Sequence, residues 1–143
     1  MNLRDQLIGF EGYEHRVYPD PITRAEPWTV GVGHTGPDVH PGDTWTDEQI
    51  NAALDADIAE KTAQCRAAFP WFDSLNEPRQ AVLVGMCFQM GINRLLGFKN
   101  TLQSIADERY ANAAEGIRQS MWAHQTPKRA LRLAAQLESG QWA

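Results

Sequence analysis

The sequence is short of most features that give a small protein a covalent or metallic skeleton. Its 143 residues include two cysteines, Cys65 and Cys87. Both stand in apolar or helical surroundings without C-x-x-C spacing, so they are expected to be reduced and structural. The four histidines do not fall near them at the intervals of a zinc site, so no metal and no other cofactor is expected. No apolar run approaches the ~20 residues that span a bilayer; the longest is near AVLVGMCF. The N-terminal stretch MNLRDQLIGFEG has Arg4, Asp5 and Glu11 where the apolar core of an export signal would lie. These absences predict a protein made in a cytoplasm, with no membrane partner and no export route of its own. Positive charge is scarce in the first half. Residues 1–68 carry 5 Lys and Arg against 12 Asp and Glu, a balance of −7; residues 69–143 carry 8 against 6, a balance of +2. Phosphate contacts need a basic footprint, so the acidic front half argues against nucleic acid as a partner.

What is present suits a globular enzyme-sized domain. The chain is 43% hydrophobic and 22% charged, with five Trp. At this length about two-thirds of the unfolded surface can be buried, so one domain, or two lobes sharing one core, folds without a staple. Residues 2–11 read as a short helix capped by Asn2, with Leu3, Leu7, Ile8 and Phe10 at helical spacing. Gly12 ends it. Residues 13–45 hold five of the eight Pro and short β-branched or aromatic pieces, HRVYP and WTVGVG, which predicts a small, irregular antiparallel sheet. Thr46 to Gln49, TDEQ, is a capping box opening a helix to about Phe69, long enough at roughly 30 Å to connect two lobes.

From residue 73 the pattern is helical with short breaks. Asp73 or Ser74 is expected to cap a run through AVLVGMCFQM, which is apolar nearly all round and reads as a buried central helix. Gly91 and Gly97 punctuate a turn. Helices follow at about 99–106, 109–120 and 127–135, with a last turn near 138–142. Thr126 and Pro127 fit an N-cap and a first helical position. Leu83, Met86, Cys87, Leu131 and Leu133 are expected in the core. The fold class is therefore α+β and mainly helical. It comprises a small β-containing lobe (13–45), a connecting helix (46–69) and a helical lobe (1–12 and 70–143), with a ligand cleft expected between lobes.

The chemistry concentrates in EGYEHRVYPDPITRAEPWTVGVGHT, residues 11–35. Glycosidic bonds are broken by two carboxyls flanking the bond, one protonating the leaving oxygen and one supporting the water or the developing charge. Glu11 at a helix end and Asp20 nine residues on fit opposite sides of such a site. Thr29 starts the next strand and offers a hydroxyl for a water. Gly31 and Gly33 leave one face of that strand bare for close approach. Taken alone, the pair Glu11 and Asp20 reads as two surface carboxylates near a turn.

The elements E-G-x5-Y-x-D, T-V-G-x-G-H and Q-T-P-x-R-A, with FDSLNEPRQAVLVGMCFQMG and GFKNTLQSI, closely resemble the phage-type lysozymes, glycoside hydrolase family 24. The resemblance covers most of the chain and implies a lysozyme-like fold. It implies an endolysin that hydrolyses the β-1,4 bond between N-acetylmuramic acid and N-acetylglucosamine in peptidoglycan. It implies Glu11 as general acid, Asp20 as second carboxylate and Thr29 as the hydroxyl that positions water. It pairs Arg129 with the acid, and His34 with Asp57 as a structural ion pair. Phe88, Gln89 and Gly91 are expected to bind sugar, with Thr101 and Gln125 as further candidates; Phe88 also fits a core position. The resemblance implies a separate holin for release to the wall, and the chain is expected to be a monomer.

This chain departs from the family pattern in places. Eight residues, PITRAEPW, separate Asp20 from Thr29 where five are usual. Glu26 there adds a third carboxylate, which either touches substrate or faces solvent, the second being the default for a lone carboxylate. GPDVHPGDTW replaces a helix common in the family, and Gly116 lacks a side chain that often touches sugar. Two other functions stand beside the hydrolase: a wall-binding module without turnover, and a lytic transglycosylase, which needs one acid and yields a 1,6-anhydro product. Asp20 and Thr29 argue against the latter.

Overall fold

A computed structural model of the chain describes all 143 residues. It contains eight α-helices, one 3-10 turn and one two-stranded antiparallel sheet near the N-terminus, a mainly helical α+β fold. It divides into two compact units, Arg4–Glu60 and Lys61–Ala143 with Met1–Leu3.

In the first unit, helix α1 runs Leu3–Glu11 and strand β1 runs Glu14–Tyr18. Gly12 at φ 84° provides the turn between them, a conformation open mainly to glycine. Strand β2, Thr29–Gly31, pairs antiparallel with β1, placing Tyr18 opposite Thr29 and Glu14 opposite Gly31. The other side of β1 is held by Val17 N–H to Asp43 O (3.1 Å) and Trp45 N–H to His15 O (2.7 Å). Helix α2, Asp47–Ala68, begins with the capping box its sequence predicts. The Thr46 amide donates to Gln49 Oε1 at 2.9 Å and the Gln49 amide to Thr46 Oγ1 at 3.2 Å. Ile50 and Leu54 of this helix are buried, with Leu7, Val30 and Val32.

In the second unit, helix α3 is Glu77–Met90, with residues 81–87 all buried, as the apolar pattern predicts. Its cap is Asn76, not Asp73 or Ser74, which lie at the 3-10 turn Phe72–Ser74. An aspartate or serine suits a cap by residue type, but Pro78 fixes the first helical turn and so selects the asparagine two residues before it. The expected turn between Gly91 and Gly97 is itself a short helix α4, Ile92–Leu96. Helices α5 (Lys99–Ala106) and α6 (Tyr110–Arg118) follow; α6 packs against both α5 and α8 (Pro127–Ser139). A short helix α7, Met121–Gln125, lies in a stretch the periodicity left blank. Pro127 occupies the first turn of α8, but Thr126 makes no side-chain cap; its hydroxyl donates to Trp122 O at 3.2 Å instead. Helix α8 continues to Ser139, past the expected end at 135, and no separate helical turn forms near 138–142: residues 138 and 139 end α8 and residues 140–142 are not helical. Leu131 is 50% exposed and not core, because the buried stripe of α8 runs through Ala130, Leu133, Ala134 and Leu137.

Arg79 closes the end of α8. Its Nε and Nη2 donate to the carbonyls of Leu137 (2.8 Å) and Glu138 (2.9 Å), and its guanidinium lies 3.6 Å from the Tyr110 ring centroid. Gly140 follows in the left-handed conformation (φ 71°), where a side chain would strike Arg79. Cys65 and Cys87 are buried, unbridged thiols; neighbouring Cys87 and burial push the Cys65 thiol up, so it stays neutral.

Asn76 serves two helices. Its Oδ1 accepts from the Arg79 amide at 3.1 Å and its Nδ2 donates to Gly140 O at 2.9 Å. Asn76→Ala is expected to lower stability by about 1–2 kcal/mol. Urea unfolding should show an earlier midpoint at an unchanged slope; an unmoved midpoint contradicts the dual role.

Candidate active site

Glu11, Asp20, Thr29, His34 and Asp57 all belong to the Arg4–Glu60 unit. Glu11 is the last residue of α1 and is half-buried. Its carboxyl lies on the backbone of Gly33: a Cβ at position 33 would come within 2.5 Å of Glu11 Oε2. Real side chains do not tolerate that approach, so Gly33, at φ 64°, is the residue that makes room for the acid. Gly31 does the same on the other side of the turn, where a Cβ would meet Ile50 Cγ2 at 2.9 Å. The two glycines are therefore not the bare face of a longer strand. Strand β2 stops at Gly31, and residues 30–34 fold back on themselves through paired Val30 and His34 backbone hydrogen bonds of 3.0 Å each.

Asp20 follows β1. Its Oδ1 accepts from the amides of Thr23 (3.0 Å) and Ile22 (2.8 Å). These two donors hold its carboxyl below the ordinary aspartate range, so it is ionised at neutral pH. The long segment to Thr29 is closed by its own hydrogen bonds. Asp20 N–H donates to Ala25 O (3.0 Å), Arg24 N–H to Asp20 O (2.8 Å) and Thr23 Oγ1 to Glu26 O (2.9 Å); the Glu26–Pro27 peptide is cis. The segment leaves and returns at one place, because Tyr18 and Thr29 are paired across the sheet. Paired Cα atoms lie about 5 Å apart, and two further residues add at most ~7 Å. Extra loop length therefore does not carry Asp20 far from Thr29. Tyr18, not among the residues expected in the site, lies close enough to Glu11 for the charge of Glu11 to act on it. Burial, then Glu11, then Glu14 raise the phenol's pKa and keep it neutral. Its place in E-G-x5-Y-x-D was the available signal.

His34 fastens this turn to α2. Its Nδ1 is 2.7 Å from Asp57 Oδ2 and its Nε2 is 3.1 Å from both oxygens of Asp38. With a carboxylate at each ring nitrogen both nitrogens donate, which is the imidazolium form. Asp57 raises the pKa most, burial opposes it, and Asp38 adds to the rise. The Trp45 ring lies 5.5 Å away, centroid to centroid.

The remaining sequence candidates lie in the other unit. Phe88 is half-buried at the end of α3, and Gly91 (φ 84°) ends that helix. Gln89 Oε1 accepts from Trp122 Nε1 at 3.0 Å, and Gln125 Oε1 from Arg94 Nη2 at 2.8 Å. Thr101 is buried; with Phe98, Lys99 and Gly116 it lines a surface hollow of about 530 Å3. A Cβ on Gly116 would lie 2.5 Å from Thr101 Oγ1, so the threonine occupies the space that a side chain there would need. Arg129 is buried, with Nη2 donating to Gly85 O at 3.3 Å. No group of three or more His, Cys, Asp or Glu is gathered to hold a metal ion.

Comparison with known proteins decides the lineage. The phage lysozyme family model matches residues 8–136, nearly the whole chain. The chain belongs to the phage lysozyme family. Among relatives, "Probable T4-type lysozyme 1" of Dictyostelium discoideum is 38% identical over 69 residues, covering 48% of this chain and 41% of that protein. "Peptidoglycan hydrolase gp36" of Pseudomonas phage phiKMV is 34% identical over 142 residues, covering 90% of this chain and 14% of that protein. "Pre-baseplate central spike protein Gp5" of Enterobacteria phage T4 is 26% identical over 165 residues, covering 98% of this chain and 28% of that protein. The chain thus spans less than half the length of each of these relatives. No helix is long and apolar enough to cross a membrane.

The raised His34 pKa fixes a sign. A raised folded-state value stabilises fully below the unfolded value near 6.5, and that contribution fades as pH rises through the folded value. The stability gap between wild type and His34→Asn should therefore be widest near pH 5–6 and shrink toward pH 9. A gap independent of pH contradicts the imidazolium clamp.

Proposed function

We propose that this chain is a peptidoglycan hydrolase that cleaves the β-1,4 bond between N-acetylmuramic acid and N-acetylglucosamine. The observation that carries the reading is the pairing of environments in the Arg4–Glu60 unit. Asp20 has its Oδ1 engaged by two amides of its own loop and is held ionised, and Glu11 has its carboxyl packed against the backbone of Gly33. Hydrolysis of a glycoside needs two carboxyls with different tasks, and different surroundings are how one fold supplies them. Glu11 protonates the leaving oxygen. Asp20, its Oδ1 engaged by amides, supports the attacking water or the developing positive charge. The Thr29 hydroxyl, across the sheet from Tyr18, positions that water. Family membership and the name of the phiKMV relative support the polymer as substrate. Sugar contacts are assigned to Phe88, Gln89 and Gly91, with Thr101 and Gln125 at the margin.

In its biological setting the chain acts as a monomeric endolysin. It is released from the host cytoplasm through a separate holin and lyses the cell from within. The spike-protein relative favours a second setting, in which such a domain works as part of a longer virion protein; 98% of this chain aligns with 28% of that one. The bond cleaved is the same in both. Lysis of cells expressing the chain only when a membrane pore is supplied supports the endolysin setting.

Purified peptidoglycan treated with the chain should release reducing ends of hydrated, not 1,6-anhydro, mass. Glu11→Gln should lower the rate by about three orders of magnitude, and Thr29→Ala by about two. Release of 1,6-anhydro products would make the chain a transglycosylase. Wall binding without release by wild type would make it a binding module.

A further inference from the structure

The Arg4–Glu60 unit carries a hollow of about 460 Å3 lined by Glu26, Pro27, Trp28, Thr35, Gly36 and Val39. Half of its lining comes from the segment between Asp20 and Thr29, where this chain is longer than the family pattern. Val39 contributes buried apolar surface and Trp28 a half-buried indole. Glu26 is the one formal charge among the lining residues. Its backbone carbonyl is held by Thr23 Oγ1, but its carboxylate makes no hydrogen bond or ion pair within the protein. Arg24, two residues earlier, does not line the hollow.

A carboxylate without a partner that lines the same hollow as an indole is the chemistry that receives an ammonium group. The carboxylate supplies an ion pair and the indole a cation–π contact. The −7 balance of residues 1–68 favours a cation and repels an anion at longer range. Trp28 directly precedes Thr29 in the chain, so the hollow and the proposed water-positioning hydroxyl are carried by one segment. We propose that this hollow binds a primary ammonium group borne by the wall polymer and thereby selects the stretches presented for cleavage. The inference rests on the peptidoglycan-hydrolase reading for its ligand. The amine has two chemical sources, a peptide stem with a free side-chain amine or a glucosamine lacking its acetyl group.

The test compares wild type, Glu26→Gln and Glu48→Gln. Glu48 is an exposed acid outside the hollow and controls for net charge. Each is measured for reducing-end release and for cosedimentation with insoluble peptidoglycan, untreated or with its amines acetylated. Glu26→Gln should raise KM and the dissociation constant about two- to fivefold on untreated wall, the worth of one exposed ion pair, leaving kcat unchanged. Acetylation should weaken wild type by at least as much, because it removes the cation–π contact as well, and should weaken Glu26→Gln by less than it weakens wild type. Glu48→Gln should behave as wild type. Glycan strands stripped of peptide then locate the amine: loss of the Glu26 effect assigns it to the stem, retention to the sugar. Equal binding by wild type and Glu26→Gln, or equal weakening by Glu48→Gln, overturns the proposal. Failure of wild type to release reducing ends would count against the hydrolase reading alone, since cosedimentation still decides the hollow.

Discussion

A carboxyl group laid directly on a glycine is the constraint around which the Arg4–Glu60 unit is arranged. Glu11 occupies space that any side chain at position 33 would take. Keeping the two in register requires the rest of the unit. Gly12 turns the chain out of α1, and the pairing of β1 with β2 brings residues 29–31 back alongside. Gly31 then seats the turn on Ile50, and His34 ties it to Asp57 in the third turn of α2. A helix end, a two-stranded sheet and a long helix are thus all spent on fixing one short hairpin. Preorganisation of this kind is what lets a single acid act at a defined atom.

The electrostatics follow from the same layout. Asp20 is stabilised as an anion by amides from its own loop, so its charge does not depend on a distant partner. Tyr18, raised by burial and by Glu11, stays a neutral phenol beside the acid. The imidazolium of His34 is matched by two carboxylates, so it adds little net positive field to the unit.

Local chemistry made much of this legible from residues alone. The TDEQ box announced α2 to within a residue of its start, and the all-round apolar run announced the buried α3. Glu11, Asp20 and Thr29 drew notice because two carboxyls and a hydroxyl bracket one turn-rich stretch. Less was visible where meaning depends on partners far off in sequence. WTVGVG reads as an alternating strand, yet both glycines serve a turn, because what they face is Ile50 in one case and Glu11 in the other. Helices α4 and α7 are five residues each, too short to show a period. The cap at Asn76 is local, but its second bond, to Gly140, joins positions 64 apart and leaves no local trace. Leu131 looked like core by residue type, but the phase of α8 turns it outward.

The most direct test measures kcat of Gly33→Ala beside Gly31→Ala, each corrected for the folded fraction. Both place alanine at positive φ, which costs about 1–2 kcal/mol. Only position 33 touches the acid. A displaced carboxyl predicts that Gly33→Ala loses about a hundredfold in kcat, while folded Gly31→Ala stays within a few-fold of wild type. Wild-type kcat in folded Gly33→Ala would contradict the claim that this glycine sets the acid in place.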